Sequence, residues 1–171
     1  METELLEKQQ KQISCVADIE IGTIFCASWG YDQTNVDFYK VIRKTAAMVE
    51  VVEVGQKMLE ATGFMAEYVN CDPYAELYER LWVISGDSYS EKQIASEKGW
   101  VLDPNAEQYQ QKPSCWIDGV YVYQDQAVGY KKLKTSKHKV QFSGSQVYLK
   151  MSSYKYANLW DGKKKYQSHY A

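Results

Sequence analysis

Histidine, proline and closely spaced cysteine are scarce in this chain of 171 residues, which has 2 His, 3 Pro and 4 Cys. Only His138 and His169 could offer imidazole, and no HxxxH, CxxC or clustered-carboxylate motif accompanies them. We therefore expect no metal site. The cysteines are too far apart in sequence for a metal knuckle or a redox pair, and we expect buried thiols at Cys15, Cys26, Cys71 and Cys115.

Signatures of catalysis are missing in the same way. The glycines form neither GxGxxG nor GxxxxGK[ST], so a loop that cradles phosphate is not supported. A Cys–His nucleophile has no local signature, although such partners can meet in space. We expect no catalytic residues, no cofactor and no enzymatic activity.

Long hydrophobic runs are absent as well. No stretch approaches the roughly 18 apolar residues that span a bilayer, so we expect no membrane partner. Met1 is followed by Glu2, Glu4 and Glu7 instead of the basic and apolar residues of a secretory signal. We expect a cytoplasmic protein.

Aromatic residues and an uneven charge distribution are what the chain does have. It contains 15 Tyr and 5 Trp, which favours half-buried strands and a contact face. The net charge of −2 divides into −4 for residues 1–60, −6 for 61–124 and +8 for 125–171. This asymmetry indicates either internal pairing or a polar binding surface.

Periodicity predicts both helices and strands. Apolar residues on one face and Glu–Lys pairs four residues apart predict a helix over 3–16. Apolar runs between 22 and 54 predict a three-strand meander. Asp72-Pro73 predicts a helix start, and a second helix is expected over 90–98. Hairpin signals dominate the rest, with the last turn at 161–162.

These patterns together predict an α+β fold. We expect a small bent antiparallel sheet, for which an SH3-like partial barrel is one form, with an N-terminal helix and a helical insertion. We expect a single domain over 1–171, and an acidic, helix-containing insertion within it at 72–125.

The segment from Ser28 to Tyr39 is a candidate ligand or partner loop, because polar side chains lie there between aromatic ones. The same polar residues could instead satisfy backbone groups in a tight loop. Two carboxylates, at Asp32 and Asp37, leave a small-molecule enzyme as the least favoured interpretation. The candidate residues are Trp29, Tyr31, Asp32, Gln33, Asn35 and Tyr39.

A lysine-rich stretch with neighbouring tyrosines is a second candidate. Such a stretch could follow a nucleic-acid backbone and stack bases. Alternatively, lysines protect exposed strand edges. The residues are Lys131, Lys132, Lys134, Lys137 and Lys139.

Three motifs carry a resemblance to a known group of proteins: SWGYDQTNVDFY at 28–39, MVEVVEV at 48–54, and LKMSSY with LWDGK at 149–154 and 159–163. The chain resembles small uncharacterised proteins of phages, plasmids and other bacterial mobile elements. The resemblance covers roughly 17–70 and 126–171, and it implies a bacterial host cell but no established reaction.

Segment 72–125 departs from the shorter family pattern. In a mobile-element protein, an acidic and aromatic insertion could engage a basic host surface. Its acidic candidates are Asp72, Glu76, Glu79 and Asp87. We expect a non-enzymatic binding protein, such as a counter-defence (anti-CRISPR-like) inhibitor that occupies a host protein or protein–nucleic acid complex, with nucleic-acid binding as the alternative.

Overall fold

The computed structural model describes residues 13–63, 65–84, 88–106, 115–117, 119–123 and 126–169. One α-helix lies in these ranges, α1 (Ser88–Lys98), and a 3-10 turn covers Val16–Asp18. The strands are β1 (Ile24–Trp29), β2 (Asn35–Lys44), β3 (Met48–Gly63), β4 (Ala66–Glu76), β5 (Tyr78–Ile84), β6 (Val101–Leu102), β7 (Cys115–Ile117), β8 (Val120–Val122), β9 (Ala127–Leu133), β10 (Thr135–Ser143), β11 (Gln146–Lys150), β12 (Tyr156–Leu159) and β13 (Lys165–Ser168).

The chain divides into two compact units. The first consists of Met1–Leu77 together with Lys134–Ala171, and the second of Tyr78–Leu133. The first unit therefore holds β1–β4 and β10–β13, and the second holds β5–β9 and α1.

A closed ring of strands forms the centre of the first unit. Strands β1, β2, β3, β10, β11 and β12 each hydrogen bond to two neighbours, all antiparallel, and the β3–β10 pairing closes the ring. Strand β3 pairs with β10 through Met48–Val52 and then with β4 over most of its remaining length, and β13 adds to β4. We call the ring the barrel.

Side-chain alternation gives the barrel an apolar interior. Because successive strand residues point to opposite faces, Phe25 and Ala27 of β1 lie inside and Ile24 and Cys26 lie outside, and all four are buried. The interior is completed by Val16, Ile19, Tyr39, Val41, Val49, Val51, Val140, Val147, Leu149 and Ala157. Val52 and Val54 are buried on the opposite face of β3, so this strand is covered on both sides.

The second unit has sheets of its own. Strand β9 pairs antiparallel with β5 along its whole length and with β6 on its other edge, while β7 and β8 form the expected hairpin. Gly129 of β9 lies where an added Cβ would be 2.3 Å from the Ala106 Cβ and 3.5 Å from Trp82 Cζ3. Glycine there allows β9 to pack closely against its neighbours.

The predicted α+β class, with a helical insertion and an SH3-like partial barrel, is wrong, because the described chain is mostly β and its barrel strands form a closed ring of six. Residues 3–12 of the expected first helix lie outside the described residues, and 13–16 contain no α-helix. Ser14 and Cys15 instead donate their backbone N–H groups to Asp18 Oδ2 at 3.0 and 3.2 Å. This local capping competes with helical hydrogen bonding.

The helix predicted from Asp72-Pro73 is also wrong, because long-range pairing overrides the local signal. Pairing between β4 and β3 passes from Asp72–Gly55 to Glu76–Val54, so residues 73–75 bulge out of the ladder. Pro73, which has no N–H to donate, fits in that bulge. Strand β5 follows, and α1 is the only α-helix in the described part of this segment.

The last predicted hairpin is wrong as well. Strands β12 and β13 flank the Asp161-Gly162 turn, but they do not pair with each other. Strand β12 pairs with β1 and β11, and β13 pairs with β4.

Candidate functional site

Two of the predicted loop residues meet around a lysine at one end of the barrel. Trp29 Nε1 donates to Asp37 Oδ2 at 2.6 Å. Lys155 Nζ is 2.6 Å from the same oxygen and lies 4.8 Å from the Trp29 ring centre and 5.2 Å from that of Tyr39. Burial raises the pKa of Tyr39 above its ordinary value. Trp29 and Tyr39 thus surround the partly buried ammonium group of Lys155, so these two residues stabilise the fold.

The remaining loop residues divide between internal bonds and solvent. Gln33 Nε2 donates to Asn35 Oδ1 at 3.0 Å, which joins two of the predicted residues. Tyr31 is 97% exposed, and Asp32 is exposed beside it. The loop therefore does not bring all six candidates into one cluster.

The acidic candidates have partners inside the fold. Glu76 Oε1 is 2.9 Å from Lys40 Nζ, and Glu79 Oε2 is 3.6 Å from Lys132 Nζ. Asp72 Oδ1 accepts the backbone N–H of Tyr74 at 3.3 Å, within the β4 bulge. Asp87 lies outside the described residues. These contacts use part of the negative charge of the segment within the protein.

The lysine candidates separate into two groups. Lys131 Nζ lies 4.9 Å from the Tyr78 ring centre, Lys132 pairs with Glu79, and Lys134 Nζ is 3.0 Å from Glu53 Oε2. These three lysines are thus engaged in internal contacts. Lys137 and Lys139 lie elsewhere, on the outer side of β10, and both are exposed.

An outward face on β10, β11 and β12 collects these two lysines with further basic and aromatic side chains. Val140 and Leu149 face each other inside the barrel, so their sequence neighbours Lys139 and Lys150 point outward on adjacent strands. Lys150 is directly opposite Tyr156 on β12. We call this surface the lysine–tyrosine face; it consists of Lys137, Lys139, Gln141, Tyr148, Lys150, Tyr156 and Asn158.

The tyrosines of this face contact each other. The Tyr148 and Tyr156 rings pack edge to face with centres 5.9 Å apart. Tyr156 is 45% exposed. Part of the Tyr156 ring therefore remains open to a ligand on the same face as the lysines.

The face carries uncompensated positive charge. Segment 135–160 contains four lysines and neither Asp nor Glu. Among the described residues, no ion pair joins Lys137, Lys139 or Lys150 to a carboxylate. Glu50 is opposite Lys137 in register, but its carboxylate lies 3.7 Å from Arg43 Nε. The face is therefore suited to an anion.

A histidine holds the end of this face in place. His138 Nδ1 lies 3.3 Å from the Lys150 carbonyl oxygen, and its Nε2 lies 2.6 Å from Ser136 Oγ. Since a carbonyl can only accept, Nδ1 carries the proton and Nε2 accepts from the hydroxyl. Burial lowers the pKa of His138, which favours the neutral ring. This contact keeps the end of β11 beside β10.

The sequence pointed to Lys137 and Lys139 but missed Lys150 and Tyr148. The signal was present, because alternation in 146–150 places Gln146, Tyr148 and Lys150 on one side and the buried Val147 and Leu149 on the other. What the sequence did not provide was the pairing that brings β10, β11 and β12 side by side.

Two of the four thiols, Cys26 and Cys71, are buried as expected. Burial raises the pKa of Cys26 and of Cys71 to about 12, so both stay protonated at neutral pH. Cys15 is exposed, which corrects the expectation of a buried thiol there. The Cys115 side chain lies outside what the structure describes.

In the ranges that the structure describes, no group of three or more His, Cys, Asp or Glu residues could hold a metal ion. Among the described residues no helix is long and apolar enough to cross a bilayer, and α1 has only 11 residues.

Comparison with protein-family models, with curated proteins and with solved structures gives no match for this chain.

Proposed function

We propose that this protein is a non-enzymatic binding protein that holds nucleic acid on its lysine–tyrosine face. The observation that supports the proposal is the position of Lys137, Lys139 and Lys150 beside Tyr148 and Tyr156 on three adjacent strands. Neutralising phosphates with lysine releases condensed counterions, which is a main source of affinity for nucleic acid.

The distribution of the other charges favours this face over the rest of the lysine-rich stretch. Lys132 and Lys134 lie near carboxylates of Glu79 and Glu53, and binding phosphate there would compete with these contacts. Lys139 and Lys150 have no such competitor among the described residues. The face can therefore bind phosphate without breaking an existing ion pair.

A charge-matched pair of triple variants tests the proposal. Lys137→Gln, Lys139→Gln and Lys150→Gln together should weaken binding to a labelled oligonucleotide at about 50 mM salt. The negative slope of log K against log salt concentration should become shallower by about 2, because three phosphate contacts are lost and each contributes about 0.7 on a single strand. Fluorescence anisotropy across a salt series measures both quantities.

The control carries Lys92→Gln, Lys98→Gln and Lys163→Gln, three exposed lysines that do not belong to the lysine–tyrosine face. It removes the same charge and should keep most of the affinity. If both variants bind equally, or if the natural protein binds no oligonucleotide at low salt, the proposal is wrong.

A second candidate is a protein partner bound by the second unit. The β7–β8 hairpin carries an aromatic cluster, in which the Trp116 and Tyr121 ring centres are 5.4 Å apart and those of Tyr121 and Tyr123 are 5.3 Å apart. Trp116 is 71% exposed and Tyr123 is 59% exposed. Exposed Trp and Tyr are typical of protein contact surfaces. This aromatic cluster, together with the resemblance to mobile-element proteins, supports a counter-defence function in which the second unit binds a host macromolecule.

A further inference from the structure

We infer that the lysine–tyrosine face takes single-stranded nucleic acid in preference to duplex. This inference rests on the proposed function, and it concerns what the tyrosines add to the lysines. An unpaired base has an open ring face that can stack on an aromatic side chain, whereas the bases of a duplex are already stacked on each other.

The arrangement of the face provides both elements that a single strand needs. Lys150 is directly opposite Tyr156, so both side chains point outward from neighbouring strands whose backbones are about 5 Å apart. Lys139 lies on the next strand, on the other side of Lys150. A phosphate held between the two lysines leaves its base within reach of the Tyr156 ring.

Tyr148 has a supporting position. Its edge-to-face contact with Tyr156 limits the rotation of that ring, which reduces the entropy lost when a base stacks. Gln141 and Asn158 are the register partners of Tyr148 on either side. Their amides can hydrogen bond to a base or sugar without selecting one sequence.

A duplex gains much less from this surface. The face is carried by strands of a closed ring, each hydrogen bonded on both sides, and not by a helix or a free two-stranded ribbon, the elements that enter a major groove. Contact with a duplex is therefore limited to phosphates and the lysines, and the tyrosines contribute little. We expect the full-length protein to bind a single strand of about 12 nucleotides at least tenfold more tightly than the matching duplex.

The test compares Tyr156→Leu with Tyr156→Phe in the full-length protein, using labelled oligo-dT, oligo-U and a duplex of equal length. Loss of the ring should weaken single-strand binding about tenfold and leave duplex binding unchanged. The phenylalanine variant should bind like the natural protein, since stacking requires the ring and not the hydroxyl. Tyr31→Leu is the matched control, because Tyr31 is exposed and lies off the face. Circular dichroism establishes that each variant is folded.

The outcomes separate this inference from the proposed function. Equal affinity for single strand and duplex, with binding still dependent on the three lysines, overturns the inference and leaves the proposed function standing. The same conclusion follows if Tyr156→Leu binds both ligands normally. If the protein binds none of the three oligonucleotides, both the inference and the proposed function are wrong. Tighter binding to oligo-U than to oligo-dT would identify the strand as RNA, and the reverse would identify it as DNA.

Discussion

At the scale of single residues, Gly30 is a position that has no room for a side chain. Its φ of +132° is one that L side chains rarely adopt. An added Cβ would be 2.0 Å from the Gln33 carbonyl oxygen, which is backbone and cannot rotate away. The turn after β1 therefore requires glycine for two independent reasons.

We expect Gly30→Ala to lower the free energy of unfolding by about 3 kcal/mol, from backbone strain and collision together. Gly22→Ala is the control, because Gly22 also has a positive φ, +95°, but has open space around its Cβ position. It should cost only about 1 kcal/mol of strain. Urea titration of both variants measures the difference. Equal losses would mean that the contact with Gln33 contributes nothing.

At the scale of elements, a network of side-chain hydrogen bonds connects β13 to the barrel. Gln167 Nε2 donates to Gln56 Oε1 at 2.8 Å and to Glu67 Oε1 at 2.9 Å, and Gln56 Nε2 donates to the Val36 carbonyl at 2.8 Å. His169 Nε2 lies 2.8 Å from the same Glu67 oxygen, and hydrogen bonding to His169 lowers the pKa of Glu67. The network joins β2, β3, β4 and the end of the chain.

Gln167→Ala should therefore destabilise the protein by about 2 kcal/mol, because Gln167 is buried and its partners would lose hydrogen bonds. Hydrogen exchange should rise first in β13 and β4. The comparison variant is Gln93→Ala, since Gln93 is exposed on α1 and makes one side-chain bond, to Glu97. A Gln167→Ala protein as stable as the Gln93→Ala protein would contradict the importance of the network.

Some secondary-structure elements could be predicted from the sequence, and others could not. Apolar runs predicted β1, β2 and β3, and in β3 the residues Val49, Val51, Val52 and Val54 define two buried faces without reference to any partner. The helix-start signal at Asp72-Pro73 failed, because pairing with distant Gly55 decides the conformation there. The candidate site shows the same limit: Lys137 and Lys139 could be singled out from sequence, but their proximity to Tyr148 depends on the strand order.

At the scale of the whole molecule, the second unit enters and leaves the first through adjacent backbone. Lys134 donates its N–H to the Leu77 carbonyl at 3.0 Å, while Leu77 donates to Glu53 O at 2.9 Å and Glu53 donates to Lys134 O at 3.0 Å. The two ends of the inserted segment are thus within one hydrogen bond of each other. A turn of a few residues can span such a gap.

We expect a variant in which a short Gly-Ser turn replaces Tyr78–Leu133 to fold cooperatively and to keep nucleic-acid binding, because the lysine–tyrosine face lies in the first unit. Thermal unfolding and anisotropy measure these two properties. Affinity capture with the intact protein and with this variant tests the second candidate, since a partner of the Trp116 cluster should be lost. An unfolded variant would show that the first unit depends on the second.

The closing pair β3–β10 also determines when the barrel can form during translation. Strand β10 begins 72 residues after β3 ends at Gly63, and β12, which completes the ring, ends at Leu159. The barrel strands β1, β2 and β3 must therefore wait on the ribosome while Tyr78–Leu133 emerges, and pairs so distant in sequence form slowly. The valine-rich β3 stays exposed throughout this interval, until β10, β11 and β12 are synthesised and complete the ring around it.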